Sequence, residues 1–131
     1  MPLKVHTARI PHHNLPGYRG PHGFNVTRRG GGAAADPFAP SDPLLSAGLK
    51  AKRQAKKDEA ALALVFEWYA MLYREEMRES YRAHRRAWEE LLHREHVVLL
   101  CYCGHHDRCH RSVLAKILVK LGASYEGEIA S

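Results

Sequence analysis

Residues 97–118 read VVLLCYCGHHDRCHRSVLAKIL. An apolar run, a short loop crowded with cysteine, histidine and arginine, and a second apolar segment follow without a break. The first run, His96–Cys103, is brief, nearly continuous in apolar character and opens on two valines. That pattern predicts a strand buried on both faces rather than a helix. The segment after the loop, roughly Cys109–Leu121, sets Val113, Leu114, Ile117, Leu118 and Leu121 on one helical face, with Gly122 as its stop. A strand that leads through a short loop into a helix belongs to a parallel sheet.

Working outward, LKVHTARI (3–10) reads as a strand bounded by Pro2 and Pro11, and PHHNLPGYRGPHG (11–23) as a turn-rich loop. FNVTRR (24–29) predicts a second short strand, and GGGAAADPFAP (30–40) a flexible, low-complexity connector. Ser41, Asp42 and Pro43 supply a cap, an early acid and an early proline for a helix that ends near Gly48 or runs on into the basic stretch Lys50–Lys57. From Asp58 to about Arg94 the pattern is helical, through Val65, Trp68, Tyr69, Leu72, Met77, Tyr81, His84, Trp88 and Leu91. The slip between Leu72 and Met77, with Ser80 nearby, predicts a bend or a break there. SYEGEI (124–129) adds a closing strand. The expected fold is α/β: one domain over 1–131, a small three-layer-like sandwich with a mainly parallel short sheet and a long helical segment between the strands.

The totals narrow the function classes. With 131 residues the chain can bury a modest core, and no apolar run approaches the ~20 residues of a membrane span. MPLKVHTARIPHH holds no apolar signal core, so a cytoplasmic protein without a membrane partner is expected. A net charge of +6 favours polyanionic partners, either a phosphorylated small molecule or nucleic acid. The three cysteines, Cys101, Cys103 and Cys109, lie within nine residues. An odd, clustered set is poor material for a disulfide framework, which leaves reactive thiols, metal ligands or small buried side chains.

In open α/β sheets ligands bind beyond the carboxyl ends of the strands, where this loop falls. A parallel first strand would bring Thr7 and Arg9 to the same rim. Asp107 is positioned to cap the second helix, which puts Arg108, Cys109 and His110 in its first turn. There the dipole and neighbouring guanidinium groups favour the thiolate of Cys109. Backbone N–H groups, Arg111 and the Ser112 hydroxyl would cradle a phosphate or carboxylate. Cys103 and Arg108 are separated by four residues, which does not match the five of a phosphatase loop. Zinc is the rival occupant: Cys101, Cys103 and Cys109 with His106 (or His105 or His110) supply soft and borderline ligands, although the second, distant ligand pair common in structural sites is missing.

VVLLCYC…CHRSVLAKIL followed by GASYEGE resembles the C-terminal signature of the domain of unknown function 488 family. HTARI, NVTRR followed by FAPS, and MRESYRAHRRAWEELL also resemble its bacterial and phage members. The resemblance implies a compact α/β fold and a site around Cys103, Cys109, His110 and Arg111, with Thr7, Arg9, Thr27 and Arg28 as companions. It carries no established activity. The GHHDR link departs from the shorter, more acidic link of many members.

Two functions of different class compete with a structural zinc module. One is a thiol enzyme acting on a nucleotide or nucleic acid, with Cys109 or Cys103 as nucleophile, His110 or His106 as base, and Arg111, helped by Arg108, on the substrate phosphate. No acidic partner for the bases is evident apart from Asp107 and Glu128. The other is a non-enzymatic binding module that grips nucleic acid or protein through Arg74, Arg78, Arg82 and Arg85. Glu75 and Glu79 stand ready to neutralise that stripe. The aromatic residues of the long helix are read as core.

Overall fold

The computed structural model describes residues 2–9, 23–26, 35–101 and 109–129. Among the described residues four strands, β1 (Lys4–Arg9), β2 (Gly23–Asn25), β3 (His96–Cys101) and β4 (Ser124–Ile129), form one sheet in the order β2-β3-β1-β4. Every pairing is parallel. The described residues also form four helices, α1 (Asp42–Ala55), α2 (Glu59–Ala83), α3 (Arg85–Leu92) and α4 (His110–Lys120), which complete the α/β fold, three of them between β2 and β3.

The apolar run that suggests a doubly buried strand is one. Val97, Val98 and Leu99 are wholly withdrawn from water and Leu100 nearly so. Each such side chain contributes about 1.5–3 kcal/mol, so this central strand anchors the sheet. Alternation splits its contacts. Val97, Leu99 and Cys101 join Leu3 and Val5 in the main core with the helices, while Val98 and Leu100 join Ala8 and Ile129 on the opposite face. Among the described residues, the helices meet the first of these faces.

Of the two courses expected for α1, the longer holds: it runs through Gly48 to Ala55, and Gly48 lies under the ring of Tyr69, where a Cβ would approach Tyr69 Cδ2 to 2.8 Å. Other local expectations change. Ser41 caps α1 as expected, accepting from the Leu44 N–H at 3.3 Å, and its own N–H donates to Glu76 of α2 at 2.8 Å. The break expected between Leu72 and Met77 falls instead at His84, which ends α2 and begins α3. No slip exists, because the buried face of α2 is Ala70, Tyr73 and Met77, with Phe66, Tyr69, Leu72 and Tyr81 packed beside it. Trp68 and His84, read as inward, are exposed. The turn at His84 swings Trp88 back so that its Nε1–H donates to Ser80 Oγ at 3.0 Å.

Residues 35–40, expected to belong to a flexible connector, are packed. Asp36–Phe38 makes a 3-10 turn, and Phe38 lies edge-on to Phe24 and Trp88. α4 ends as the glycine predicts. Gly122 takes φ +112, Ala123 N–H donates to Leu118 O, and Gly122 N–H donates to Val119 O, a Schellman arrangement.

β4 carries one irregularity with consequences for the site. Val5 pairs with Tyr125 and His6 with Gly127, so Glu126 is an extra residue. Gly127 accommodates the bulge at φ +119. Strict alternation from Tyr125 would send Glu128 to the face away from the helices. The extra residue brings it opposite Thr7, on the helical side.

Candidate functional site

Parallel pairing of β1 with β3 sets Arg9 opposite Cys101 at the carboxyl ends of the two central strands. α4 starts above this edge. Its N-cap is Cys109, in extended conformation (φ −142°, ψ 153°), so Cys109 precedes the first turn and the cap expected from Asp107 is replaced. Ser112 Oγ donates to the carbonyl of Cys109 at 2.7 Å, which ties its hydroxyl into the turn. His110 and Arg111 are the first two helical residues and both turn inward.

Cys101, Cys109 and His110 therefore converge. Their sulfur and ring-nitrogen atoms all lie within 4.8 Å of one another, and all three residues are buried. The imidazole of His110 is fixed at both ends. Nε2 stands 2.9 Å from the carbonyl of Val26, which can only accept, so Nε2 carries the proton. Nδ1 stands 3.8 Å from Cys109 Sγ. The ring edge also packs against Tyr73, whose hydroxyl donates to the carbonyl of Phe38 at 2.6 Å. Burial holds the His110 pKa below the usual histidine value, against opposing effects of Cys101 and the Val26 carbonyl. The ring is therefore neutral at physiological pH, with an unprotonated Nδ1 facing the thiol.

Arg111 is fully buried, and among the described residues its guanidinium donates to Glu128 and Cys101. Nε and Nη2 donate to Oε1 and Oε2 of Glu128 at 3.2 and 2.9 Å, and Nη1 donates to Cys101 Sγ at 3.0 Å. Burial disfavours its charge, but the Glu128 carboxylate and the sulfurs of Cys101 and Cys109 more than offset this, and its pKa stands above the usual arginine value. A guanidinium donating to sulfur favours the thiolate.

Of the residues singled out in the sequence, Cys101, Cys109, His110 and Arg111 are thus brought together. Thr7 is buried one strand away, with Oγ1 2.8 Å from the hydroxyl of Tyr125. Cys103, His105, His106, Asp107, Arg108, Thr27 and Arg28 lie outside the described residues. Glu128 is the residue whose role sequence reasoning does not assign: it holds Arg111, not a histidine. Its signal is the adjacent Gly127, a glycine inside a strand pattern, which commonly marks a bulge. The Val26 carbonyl leaves no trace in the sequence. On α2 and α3 the basic stripe is partly neutralised at the surface: Arg82 pairs with Glu79 at 3.0 Å and Arg85 with Glu89 at 3.3 Å. No helix among the described residues is long and apolar enough to cross a membrane.

Comparison with known protein families finds a match. Residues 18–122 fit the model of DUF488-N3a, described as the active DUF488-N3 subclade. No curated protein and no solved structure matches the chain. The matched span is most of the sequence and includes the cysteine loop and all of α4, so the chain belongs to the DUF488 family.

Proposed function

We propose that the protein is a thiol-dependent enzyme in which Cys109 is the nucleophile and His110 its base. The observation that carries this reading is the fixed tautomer of His110: the Val26 carbonyl binds Nε2–H, which leaves the Nδ1 lone pair 3.8 Å from Cys109 Sγ. A nucleophile, a base within reach and a third group that orients the base form the minimal set for covalent catalysis. The spacing is slightly long for a hydrogen bond to sulfur, as is common before substrate binds.

The supporting groups have distinct tasks. Cys109 Sγ–H passes its proton to His110 Nδ1, and the sulfur forms a bond to the electrophilic atom of the substrate. The electrons of the broken bond leave with the departing group, which takes the proton back from His110. Arg111 is a positioning residue: locked to Glu128, it donates to Cys101 and keeps positive charge beside the two sulfurs. The positive end of α4 acts in the same direction.

The substrate class proposed is a nucleotide, another phosphorylated small molecule, or nucleic acid. The supporting features are the net charge of +6 and the exposed cations Lys50, Lys52, Arg53, Lys56 and Lys57 near the end of α1, with Arg74 and Arg78 on α2. The reading is tested by incubating reduced protein with nucleotides and with short oligonucleotides, then locating adducts by peptide mass spectrometry. A mass gain on Cys109, lost in Cys109→Ser, is expected. A gain confined to another cysteine, or none with either ligand class, contradicts it.

A further inference from the structure

The same three side chains have the chemistry and spacing of a metal site. Tetrahedral zinc, with Zn–S of ~2.3 Å and Zn–N of ~2.0–2.1 Å, sets its ligand atoms about 3.6–3.8 Å apart. Cys109 Sγ and His110 Nδ1 already stand at 3.8 Å, and the full set lies within 4.8 Å. The ring of His110 is oriented as metal-bound imidazoles are, with its other nitrogen donating to a backbone carbonyl.

The Nη1–H that Arg111 donates to Cys101 Sγ at 3.0 Å is compatible with a bound ion, since metal-bound sulfur still accepts.

We propose that Cys101, Cys109 and His110 bind one soft divalent cation of the zinc class through their two sulfurs and Nδ1, and that the bound ion withdraws Cys109 from nucleophilic attack. The fourth position goes to water or a further ligand. Binding displaces the thiol protons that remain and changes no oxidation state. This regulation rests on the thiolate reading of the site.

The test uses full-length, reduced, metal-free protein titrated with Co²⁺ under anaerobic conditions. The expected result is one equivalent bound, with sulfur-to-cobalt charge-transfer absorption that Zn²⁺ abolishes. Cys101→Ser should weaken binding roughly a hundredfold or more. Because serine variants are open to misfolding, a second measurement uses the wild type alone: Zn²⁺ should slow iodoacetamide modification of Cys101 and Cys109 by about tenfold or more. No charge-transfer band, a band unchanged in folded Cys101→Ser and Cys109→Ser, or protection confined to Cys103 would overturn the proposal. Its failure is separable from that of the enzyme reading. Cobalt binding with an inert Cys109 in the metal-free protein removes the nucleophile and keeps the metal site; a reactive Cys109 with no cobalt binding does the reverse.

Discussion

Arg111 of α4 and Glu128 of β4 are joined at two points, Nε to Oε1 and Nη2 to Oε2, with the arginine fully buried and the carboxylate mostly so. Breaking a buried ion pair by removing one partner costs about 3–5 kcal/mol. Glu128→Gln should therefore lower the stability measured by urea unfolding by about 3 kcal/mol or more. Arg111→Lys should not substitute for the arginine, because an ammonium cannot reach both carboxylate oxygens and Cys101 Sγ in one plane.

The ion pair exists because the bulge turns Glu128 inward, so the two features should be coupled. At Gly127 an added Cβ meets no atom within 4 Å, but φ of +119° is strained for any L side chain. Gly127→Ala should cost about 1–3 kcal/mol from backbone strain alone. In that background Glu128→Gln should cost less than in the wild type, and a double-mutant cycle of unfolding free energies measures the difference. Strict additivity would disconnect the bulge from the pair.

Stability should depend on pH through His110. Its pKa is lowered in the folded state, chiefly by burial. Near and below the ordinary histidine value of ~6.5, the unfolded chain binds a proton that the folded chain resists. Stability attributable to His110 is thus fully present above that value and is lost as pH falls below it. His110→Gln, which keeps a donor for the Val26 carbonyl, should flatten the dependence. Urea midpoints of both proteins between pH 5 and 8 decide this, and parallel curves would contradict it.

Tyr73 braces the imidazole from beneath. Tyr73→Phe removes the donor to the buried carbonyl of Phe38 and should cost about 1–3 kcal/mol. Burial raises the Tyr73 pKa well above its ordinary value. The folded state then keeps its proton where the unfolded state loses it, so stability should fall as pH rises past ~10, and the Phe variant should lose that component.

How much of this was legible beforehand varies with range in sequence. The strand that begins at His96, the capped start at Ser41 and the glycine stop at Gly122 are local patterns, and local chemistry specifies them. The resemblance to the DUF488 family rests on the same segments and holds. What failed depends on contacts between distant segments. Residues 35–40 look structureless until Phe38 meets Phe24 and Trp88. The face of α2 was misjudged because Trp68 looks like a core residue but is exposed, while Ala70, smaller and less conspicuous, faces inward. The partner of Arg111 is 17 residues away and depends on one inserted position in β4.

Alkylation of Cys109 as a function of pH tests the central claim most directly. Metal-free full-length protein would be treated with iodoacetamide from pH 5 to 9, with modification at each cysteine resolved by peptide mass spectrometry. Cys109 should be modified in the folded protein, and its rate near neutral pH should fall in His110→Gln, which lacks the base that takes the thiol proton. A Cys109 that stays unmodified while the protein is folded, or one whose profile is the same with and without the imidazole, would contradict it.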